Sequence, residues 1–551
     1  MGAAVIVMAV TLCAFIPTLT SQFVMWDDDI SIYNNPKMGG LTLERLVWMF
    51  TDVDTMMRYY PLTQLSLSVT YEFFGLNPLG YHLGNWLLHG MNGVLFFFLL
   101  MELLRAGIVE KDRWYRVHKW GTLVAALTAL LWSVHPLRVE TVAWANERSY
   151  EQAAFFILLS LLFYLKANRS ESTSWHRRLF FDASIIGFLA SILSHPIAIS
   201  AFLVYLVLDI YPLRRIGGDV GWWTRPAQRV LFEKVLYFAV AACVTVVTVM
   251  ARLYPSGIWP KSVSLKEFGI LDRLAQAGYI CFYYLWKPWY PVNLSPVYTD
   301  LVAFDPVSAK FLLSAAAVVT VTILVFLFRR RWPIFFYVWL CHLLLLVPVL
   351  GFFEHPHYPA DRYSIFSSML WSVLLAAGFI HLCVSYRQRL AVLCSLIVLV
   401  ALLSSASLTQ TWVWRDSAAL FEHMISVLGN DPYRHDIYRR LGYYHLQGGR
   451  ISEAEAAFKQ GLIIAPYVPY YHNLLGLALY AKGEFAGASR EFAEAIRLDP
   501  NNTHFRYNQA VALAKSGSVN DAIKQLQLAI TIDPSFTAAH TMLNALIVKG
   551  R

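Results

Sequence analysis

The stretch Phe23-Val24-Met25-Trp26-Asp27-Asp28-Asp29-Ile30 places three consecutive carboxylates directly after an apolar run from Ala3 to Thr20. At about 1.5 Å per residue in a helix, that run is long enough to cross the hydrocarbon core of a membrane. We therefore expect the acidic triplet just outside a membrane exit, with Trp26 at the interface. Because neighbouring carboxylates raise each other's pKa, one of them is a candidate proton acceptor. A solvated loop end that stops the helix explains the same residues.

The rest of the chain has the composition of a membrane protein with several spans. Of its 551 residues, 57% are hydrophobic and 15% are charged, a balance that excludes a single soluble domain. The formal net charge of +9 comes from Lys and Arg that are spread over loops, which indicates basic cytoplasmic loops rather than a nucleic-acid-binding surface. The six cysteines lie in apolar segments without paired spacing, so they predict neither a disulfide framework nor a metal site.

Apolar segments of nearly membrane-spanning length recur through the N-terminal three quarters of the chain, and we predict about eleven spans. Among them are 82–104, 121–134, 152–165, 311–328, 333–350, 364–384 and 390–408. The loops richest in Lys and Arg are expected to face the cytoplasm. Arg329-Arg330-Arg331 lies in such a loop, and the resulting orientation puts the N-terminus inside and the C-terminus outside. The loops that carry the acidic residues then face the extracytoplasmic side.

Two further segments are predicted to lie along or within the membrane surface. Leu271 to Tyr290 is apolar enough to span but ends in Trp286-Lys287-Pro288-Trp289-Tyr290-Pro291. If it spanned, the arginine triplet would move outside, so we predict that it is re-entrant or interfacial. Leu41 to Phe50 alternates with helical period and is predicted to be a short helix along the interface.

The C-terminal part changes character and repeats with a period of 34 residues. Glycines recur at Gly449, Gly483 and Gly517, and prolines recur at Pro432, Pro466, Pro500 and Pro534. A unit of this length with small residues and a closing proline predicts tetratricopeptide repeats stacked into an α-solenoid. We predict full repeats at about 434–467, 468–501 and 502–535, a degenerate unit at 414–431 and a capping helix at 536–548. The predicted domains are 1–410 in the membrane and 411–551 as repeats.

The predicted outer loops carry polar and ionisable residues beside or inside spans, where such residues are costly and mark function by default. Besides the acidic triplet these are His135, Arg138, Glu140, Glu147, Arg148, His195, Glu354, His355, His357, Tyr358, Asp361 and Arg362. Arginine binds phosphate through its forked nitrogens, and a carboxylate deprotonates an acceptor. The set therefore suits group transfer from a phosphate-linked donor.

Structural roles explain the same residues. Two arginine–glutamate pairs within 138–148 are spaced to neutralise each other in one loop. The histidines that precede Pro136 and Pro196 fit the ends of helices. The run Glu354-His355-Pro356-His357 lacks the spacing of a recognised metal site, so no metal is predicted there.

Several of these stretches resemble the transmembrane-and-TPR O-mannosyltransferase-like proteins, which belong to the GT-C glycosyltransferases. The matching stretches are Trp26-Asp27-Asp28-Asp29, Asn34-Asn35-Pro36, Phe74-Gly75-Leu76-Asn77-Pro78, Tyr81-His82-Leu83-Gly84-Asn85, His135-Pro136-Leu137-Arg138-Val139-Glu140-Thr141-Val142-Ala143-Trp144, Glu147-Arg148 and Asp361-Arg362-Tyr363. The resemblance extends over essentially the whole chain, including the order of the stretches and the trailing repeats. Together these weak motifs are specific.

Two positions depart from the family's pattern. Ser149-Tyr150 stands where a lysine and an acid commonly follow. His195-Pro196 stands where Lys-Pro is frequent. A basic donor contact is therefore neutral or pH-dependent in this chain, since histidine titrates at about pH 6.5.

The resemblance implies a GT-C fold and the transfer of a sugar, mannose by the family's name, from a polyprenyl-phosphate carrier to a Ser or Thr hydroxyl of a protein. No metal or other cofactor is expected of this family. By its match to the first-loop motif, Asp27 is the expected catalytic carboxylate, with Asp28 next. In an extended stretch neighbouring side chains point to opposite sides, so the triplet would not aim all three acids at one substrate.

Further site residues follow from charge and loop placement. The predicted contacts to the donor phosphate are Arg138, Arg148 and Arg362. The candidate substrate-binding residues are Glu140, Glu147, His135, His195, His357, Tyr358 and Asp361. The repeats are expected to offer a concave surface to the acceptor protein. No nucleic-acid partner is expected.

Two other functions fit parts of the sequence. A non-catalytic membrane scaffold would use the repeats to dock partners and the spans only as an anchor. A GT-C enzyme of the same architecture would glycosylate a glycan or a lipid instead of a protein. The acid-bearing first loop and the charged outer loops favour a transferase, because an anchor needs none of them.

Overall fold

The fold is all-α and separates into two compact units, Met1–Asp416 and Ser417–Arg551. The computed structural model describes residues 1–53, 58–108, 118–169, 173–253, 263–302, 304–352, 357–382 and 385–549. Within these residues the secondary structure is helical apart from an antiparallel bridge between Gly217 and Gly221. The all-α class predicted from the sequence is confirmed.

The first unit is built from long apolar helices joined by short polar ones. Its α-helices are α1 Gly2–Ala14, α2 Leu43–Thr51, α3 Pro61–Phe74, α4 Pro78–Leu103, α5 His118–Ser133, α6 Val139–Ala143, α7 Arg148–Ala167, α8 Ser174–Ser194, α9 Phe202–Ile210, α10 Arg225–Leu253, α11 Ile270–Trp286, α12 Ala309–Leu327, α13 Pro333–Leu346, α14 Ser364–Leu382 and α15 Tyr386–Thr411. Short 3₁₀ turns at Pro136–Arg138, Ala145–Glu147 and Asp361–Tyr363 carry predicted site residues.

Within the described part of the chain, six helices are long and apolar enough to cross a membrane. They are Pro78–Gly107, Ala145–Ala167, Arg225–Ala251, Ala309–Leu327, Asp361–His381 and Tyr386–Trp414. A seventh crossing results if Lys119–Ser133 and Pro136–Ala143, which are bent by 55° at their break, form one span. Gly2–Ala14, Pro196–Ile210 and Pro333–Val349 are apolar but shorter. The first unit therefore has the helices of a multi-pass membrane protein, and the count of eleven stays a prediction.

The two segments predicted at the membrane surface are both helical. The segment predicted to be re-entrant forms α11 and the 3₁₀ turn Lys287–Trp289, where Pro288 supplies no backbone N–H to continue the helix. The predicted interfacial helix forms as α2, and the Thr42 side chain caps it by accepting the Arg45 N–H at 3.3 Å. Their positions relative to the membrane stay predictions.

Small and hydroxyl residues join the apolar helices, as expected where lipid leaves little hydrophobic driving force between helices. In α8, Gly187 lies so close to α7 that a Cβ there would be 3.1 Å from the Cβ of Ser160. The hydroxyls of Ser160 and Ser184 are 3.1 Å apart, and Tyr237 of α10 donates to Ser184 at 2.7 Å. Tyr205 of α9 bonds to Ser160 at 2.5 Å. Helices α7 to α10 thus meet at one buried polar contact.

The second unit consists of paired helices with the predicted period. They are α16 Ser417–Leu428, α17 Arg434–Gln447, α18 Ile451–Ile464, α19 Pro469–Ala481, α20 Phe485–Leu498, α21 Thr503–Lys515, α22 Val519–Ile532 and α23 Thr537–Lys549. Gly449, Gly483 and Gly517 follow the first helix of each repeat with φ of 71°, 88° and 91°, the left-handed region that glycine adopts without steric cost. The predicted repeats and the helix that closes them are confirmed.

A small residue in the first helix of each repeat faces a larger residue in the second helix. A Cβ on Gly476 would lie 2.7 Å from the ring of Phe492, and in the preceding repeat a glycine meets a phenylalanine in the same way. In the following repeat Ala510 packs in one cluster with Leu526. Where the first helix carries alanine instead of glycine, the second helix thus carries leucine instead of phenylalanine.

Gly476→Ala should overpack this contact and lower the stability of the second repeat by about 1–3 kcal/mol. Adding Phe492→Leu reproduces the Ala510–Leu526 pair of the third repeat and should restore much of the loss. Hydrogen–deuterium exchange over α19 and α20 in the full chain measures both effects. Equal protection in Gly476→Ala and in the unchanged chain would show that the phenylalanine ring moves aside without cost.

The distribution of Lys and Arg predicts that Arg329-Arg330-Arg331, between α12 and α13, faces the cytoplasm and that the repeats face the opposite side. Arg330→Cys and Ser516→Cys, each in a chain whose native cysteines are replaced, place one thiol in either region. A membrane-impermeant thiol reagent applied from outside should label only the Ser516 position. Labelling of both positions from one side would contradict the orientation and indicate that α11 crosses the membrane.

Candidate functional site

The acidic triplet lies in a turn, so the expectation of an extended stretch with alternating side chains is wrong. Met25 to Asp27 form the turn, which continues into the helical turn Asp29–Tyr33. Asp27 has a φ of 71°, in the left-handed region that Asp and Asn enter more readily than most residues. Asp28 has a φ of −64°. The change of backbone conformation between them gives the acids different surroundings.

Asp28 is fully buried and anchors the first loop. One carboxylate oxygen accepts the backbone N–H of Val24 at 2.9 Å, and the other accepts that of Asn146 at 3.0 Å. Burial raises the pKa of the Asp28 carboxyl well above its ordinary value, although the two N–H groups oppose the rise. With both oxygens engaged by the backbone, Asp28 holds the first loop against the turn that precedes α7.

Asp27 is half-buried, and the Asp28–Asn146 contact brings it near Glu147, the residue after Asn146. The charge of Asp27 acts on the nearby Glu147. Asp29 is also half-buried and begins the next helical turn. The fold therefore brings the expected catalytic carboxylate to Glu147, and it gives Asp28 an anchoring contact.

Two glutamates and two arginines form the ionic centre of the site. Arg362 donates its backbone N–H to Glu140 at 2.8 Å, and its guanidinium pairs with the same carboxylate. The Arg362 Nε lies 3.5 Å from Oε1 of Glu147, and Arg58 of the first loop lies 4.0 Å from that oxygen. Both glutamates are buried, and pairing with arginine makes the burial of their charges tolerable. We call Glu140, Glu147, Arg58 and Arg362 the arginine–glutamate cluster.

Aromatic rings surround the arginine–glutamate cluster. The ring of Tyr150 lies 4.1 Å from that of His195 and 6.2 Å from that of Tyr363, between centroids. His357 stacks on Tyr363 with centroids 5.7 Å apart. The guanidinium of Arg362 lies 4.9 Å from the Tyr363 centroid, within range of a cation–π interaction. Two of the histidines predicted as substrate-binding thus belong to these aromatic walls.

A second group of charges gathers around Asp361, the residue before Arg362. The Asp361 carboxylate accepts the hydroxyls of Tyr298 at 2.8 Å and of Tyr283 at 3.2 Å. Both tyrosines come from the region around α11, so Asp361 joins that region to the start of α14. The adjacent residues Asp361 and Arg362 therefore belong to two different groups of charges.

Arg138 and Lys287 are the cations of this second group, and both interact electrostatically with Asp361. Arg138 is fully buried, and its Nη2 donates to the hydroxyl of Ser364. Its Nε and Nη1 find no hydrogen-bond partner among the described residues. We call Arg138, Asp361 and Lys287 the arginine–lysine cluster.

Lys287 is a residue that the sequence-based predictions miss. Its Nζ donates to the backbone oxygen of Val292 at 2.9 Å and lies 4.8 Å from the ring centroid of Tyr298. Burial lowers the pKa of its ammonium group, and Asp361 opposes the decrease. The run Trp286-Lys287-Pro288-Trp289 contains a signal, one cation among aromatic residues beside a proline. Only the fold brings that cation to Asp361.

Arg148 is engaged inside the chain by all three of its nitrogens. Its Nε donates to the side chain of Asn85 at 3.0 Å, and its Nη2 donates to the carbonyl of Tyr81 at 2.7 Å. Its Nη1 donates to the hydroxyl of Thr70 at 2.5 Å. A Cβ on Gly84 would lie 2.5 Å from Nη2, so glycine leaves room for the guanidinium. These contacts favour a structural role, and a phosphate contact for Arg148 stays a prediction.

His135 and His195 lie at helix ends. The Nδ1 atom of each accepts the backbone N–H two residues later, at 3.2 Å and 3.0 Å. The Nε2 of His135 donates to the carbonyl of Pro288 at 2.9 Å, because a carbonyl oxygen only accepts. His135 therefore connects the loop of Arg138 to the turn that carries Lys287.

The loop before Asp361 is described from His357 onward. Glu354 and His355 lie outside the described residues. Tyr358, a candidate substrate-binding residue, is half-buried. In the described part of the chain, no group of three His, Cys, Asp or Glu side chains is placed to hold a metal ion.

A buried pair that the predictions also miss lies one helical turn after Glu147. The Nδ1 of His89 is 3.0 Å from Oε2 of Glu151, and its Nε2 is 2.7 Å from the carbonyl of Ser133. Asn92 donates to the same carboxylate at 2.8 Å. Since a carbonyl oxygen only accepts, Nε2 is the donor in its contact with Ser133. The contact ties α4 to α7, and ionisable residues within apolar segments are its signal in the sequence.

The chain matches known proteins over part of its length. A family model described as tetratricopeptide repeat matches residues 473–535. The TPR repeat-containing thioredoxin TTL4 of Arabidopsis thaliana is 39% identical over 13% of this chain and 11% of its own. The protein O-mannosyl-transferase TMTC4 of Homo sapiens is 30% identical over 31% of this chain and 24% of its own. Among solved structures, apo ArnT from Cupriavidus metallidurans is 16% identical, with 89% of this chain and 79% of that chain covered and a TM-score of 0.39.

The chain thus spans 11% and 24% of the lengths of these two curated relatives. The family model confirms the predicted repeats over residues 473–535, which fall in the second and third repeats of the 34-residue period. The resemblance inferred from the motifs is also confirmed, because a protein O-mannosyl-transferase is among the relatives. The chain therefore contains tetratricopeptide repeats and is similar to the transmembrane-and-TPR O-mannosyltransferase-like proteins.

Proposed function

We propose that this protein is a membrane glycosyltransferase that moves a sugar, with mannose as the first candidate, from a polyprenyl-phosphate carrier to Ser or Thr hydroxyls of a protein. In this proposal the membrane unit binds the donor, the repeats hold the acceptor, and both act on the extracytoplasmic side. The observation that carries it is the Asp28–Asn146 contact, which places Asp27 near Glu147 of the arginine–glutamate cluster, beside a second cluster in which two nitrogens of Arg138 have no partner among the described residues. The similarity to the protein O-mannosyl-transferase TMTC4 supports it.

The reaction needs a base and a stabilised leaving group. The acceptor hydroxyl oxygen forms a bond to the anomeric carbon of the sugar while the bond from that carbon to the phosphate oxygen breaks. The electron pair of the broken bond stays on the carrier phosphate, and the hydroxyl proton passes to the carboxylate of Asp27. A positioned base contributes roughly 10²–10⁴-fold to such a step. Asp28 is unsuited to this task because both of its oxygens accept backbone N–H groups.

The two clusters suit different parts of the donor. In the arginine–glutamate cluster two arginines face two glutamates and Asp27, so their positive charge is already balanced. In the arginine–lysine cluster two cations face Asp361, and Arg138 has two nitrogens that no described residue engages. Phosphate accepts hydrogen bonds from such nitrogens, and Arg362 offers only its Nε in this way. We therefore assign the donor phosphate to Arg138 and Lys287 rather than to Arg362.

Asp27→Asn should lower the transfer rate by at least about 10²-fold while folding and donor affinity stay nearly unchanged, because it removes the base and keeps the size of the side chain. Purified protein in detergent, labelled polyprenyl-phosphate mannose and a panel of peptides containing Ser and Thr measure the rate. Asp29→Asn is the matched control and should retain most of it. Wild-type turnover by correctly folded Asp27→Asn would remove the main reason for the proposal.

Asp28→Asn should act on folding instead. The asparagine side chain has one acceptor oxygen where the carboxylate has two, so the N–H of Val24 or Asn146 would face an NH₂ group. A buried donor left without a partner costs about 1–3 kcal/mol. Thermal unfolding in detergent should give a lower Tm for Asp28→Asn than for Asp27→Asn or Asp29→Asn. Equal Tm values for the three variants would contradict the anchoring role of Asp28.

Lys287→Met should weaken binding of sugar-free polyprenyl phosphate. A hydrogen bond to a charged group contributes about 1.5–3 kcal/mol, which corresponds to roughly 10- to 100-fold in Kd. Lys310→Met is the matched control, since Lys310 also lies beside a tyrosine ring, 5.2 Å from the Tyr279 centroid, but pairs with Asp300. Unchanged binding by Lys287→Met would exclude this residue from the phosphate site.

A further inference from the structure

Three polar atoms in and beside the arginine–glutamate cluster are buried and find no hydrogen-bond partner in the described part of the chain. They are Oε2 of Glu147, Nε of Arg362 and the hydroxyl of Tyr150. Buried polar groups are almost always hydrogen-bonded, since an unpaired group forfeits its bonds to water. Several unpaired groups in one place therefore indicate a site whose partners come from a ligand.

The three residues meet one another. The Nε of Arg362 lies 3.5 Å from Oε1 of Glu147, an ion pair that leaves Oε2 of the same carboxylate unengaged by any described residue. The ring of Tyr150 lies 6.2 Å from that of Tyr363, whose centroid is 4.9 Å from the guanidinium of Arg362. Together they present an acceptor, a donor and a hydroxyl that does either.

This combination matches hydroxyl groups better than phosphate. A sugar hydroxyl donates one hydrogen bond and accepts others, so it can donate to Glu147 while it accepts from Arg362. An ionised phosphate oxygen has no proton to donate to the carboxylate of Glu147. The rings of Tyr150, His195 and Tyr363 place apolar surface beside these polar groups, a combination typical of ligand-binding sites.

We propose that Glu147, Arg362 and Tyr150 bind two adjacent hydroxyls of the donor's sugar and thereby select the sugar. This inference rests on the proposed transferase function and deepens it, because it assigns the neutral hexose to one cluster and leaves the phosphate to the other. The hydrogen bond from Asn146 to Asp28 brings their neighbours Glu147 and Asp27 near each other, so a sugar bound to Glu147 lies near the carboxylate that takes up the acceptor's proton.

Tyr150→Phe tests the proposal because it removes one hydroxyl and no carbon atom. We expect the Kd for polyprenyl-phosphate mannose to rise roughly 3- to 10-fold, as for the loss of one hydrogen bond. The Kd for sugar-free polyprenyl phosphate should stay unchanged. The Tm of the free protein should not fall, because the deleted hydroxyl has no partner among the described residues.

Tyr237→Phe is the matched control. This tyrosine is equally buried in the membrane unit, but its hydroxyl donates to Ser184 at 2.7 Å. Its removal should lower the Tm and leave the Kd of every donor unchanged. A fall of the Tm in Tyr150→Phe as large as that in Tyr237→Phe would assign the Tyr150 hydroxyl a structural role and overturn the proposal.

Donors that lack single sugar hydroxyls identify the contact. For the monodeoxy analogue that lacks the hydroxyl bound by Tyr150, wild-type protein and Tyr150→Phe should bind equally, whereas the other analogues should still distinguish them. Equal binding of polyprenyl-phosphate mannose itself by both proteins would overturn the sugar contact and leave the proposed function standing. A wild-type protein that binds no polyprenyl-phosphate sugar would overturn the proposed function, and this inference with it.

Discussion

The buried guanidinium of Arg148 holds the site on the membrane helices. Its nitrogens donate to Asn85 and Tyr81 of α4 and to Thr70 of α3, so one side chain fastens the start of α7 to two other helices. Because Arg148 directly follows Glu147, the same contacts determine where Glu147 stands in the arginine–glutamate cluster. A buried donor that loses its partner costs about 1–3 kcal/mol, and more when the donor is charged, so each of these contacts helps to hold the guanidinium in place.

Neighbouring residues divide the structural and the chemical tasks of the site. Arg148 bonds to two neighbouring helices, whereas Glu147 belongs to the arginine–glutamate cluster. Asp28 accepts two backbone N–H groups while Asp27 faces the site. Asp361 and Arg362 belong to different clusters. These residues lie in turns and short helical segments, where successive side chains point about 100–120° apart, so adjacent residues of one motif do different work.

Much of the fold could be predicted from the sequence because its signals are local. A continuous apolar run predicts a span wherever it occurs, and α4, α12 and α15 begin and end within a few residues of the predicted segments. The 34-residue period predicts the repeats, since each pair of helices packs mainly on its neighbours. The extended acidic triplet was predicted wrongly, because the backbone of Asp27 and Asp28 follows from the contact with Asn146, more than a hundred residues away.

Residue type and loop placement were enough to collect most of the charged side chains of the site, including Glu140, Glu147 and Arg362. Residue type and loop placement could not assign a role to each side chain, because Arg148 and Arg362 are the same residue type and differ only in their partners. Tertiary structure decides that the guanidinium of Arg148 bonds to helix α4, that the guanidinium of Arg362 pairs with glutamates, and that Lys287 joins the site at all. The physical reason is range: periodicity acts between residues near in sequence, whereas charge pairing and hydrogen bonding act over a few ångströms between segments that only the fold brings together.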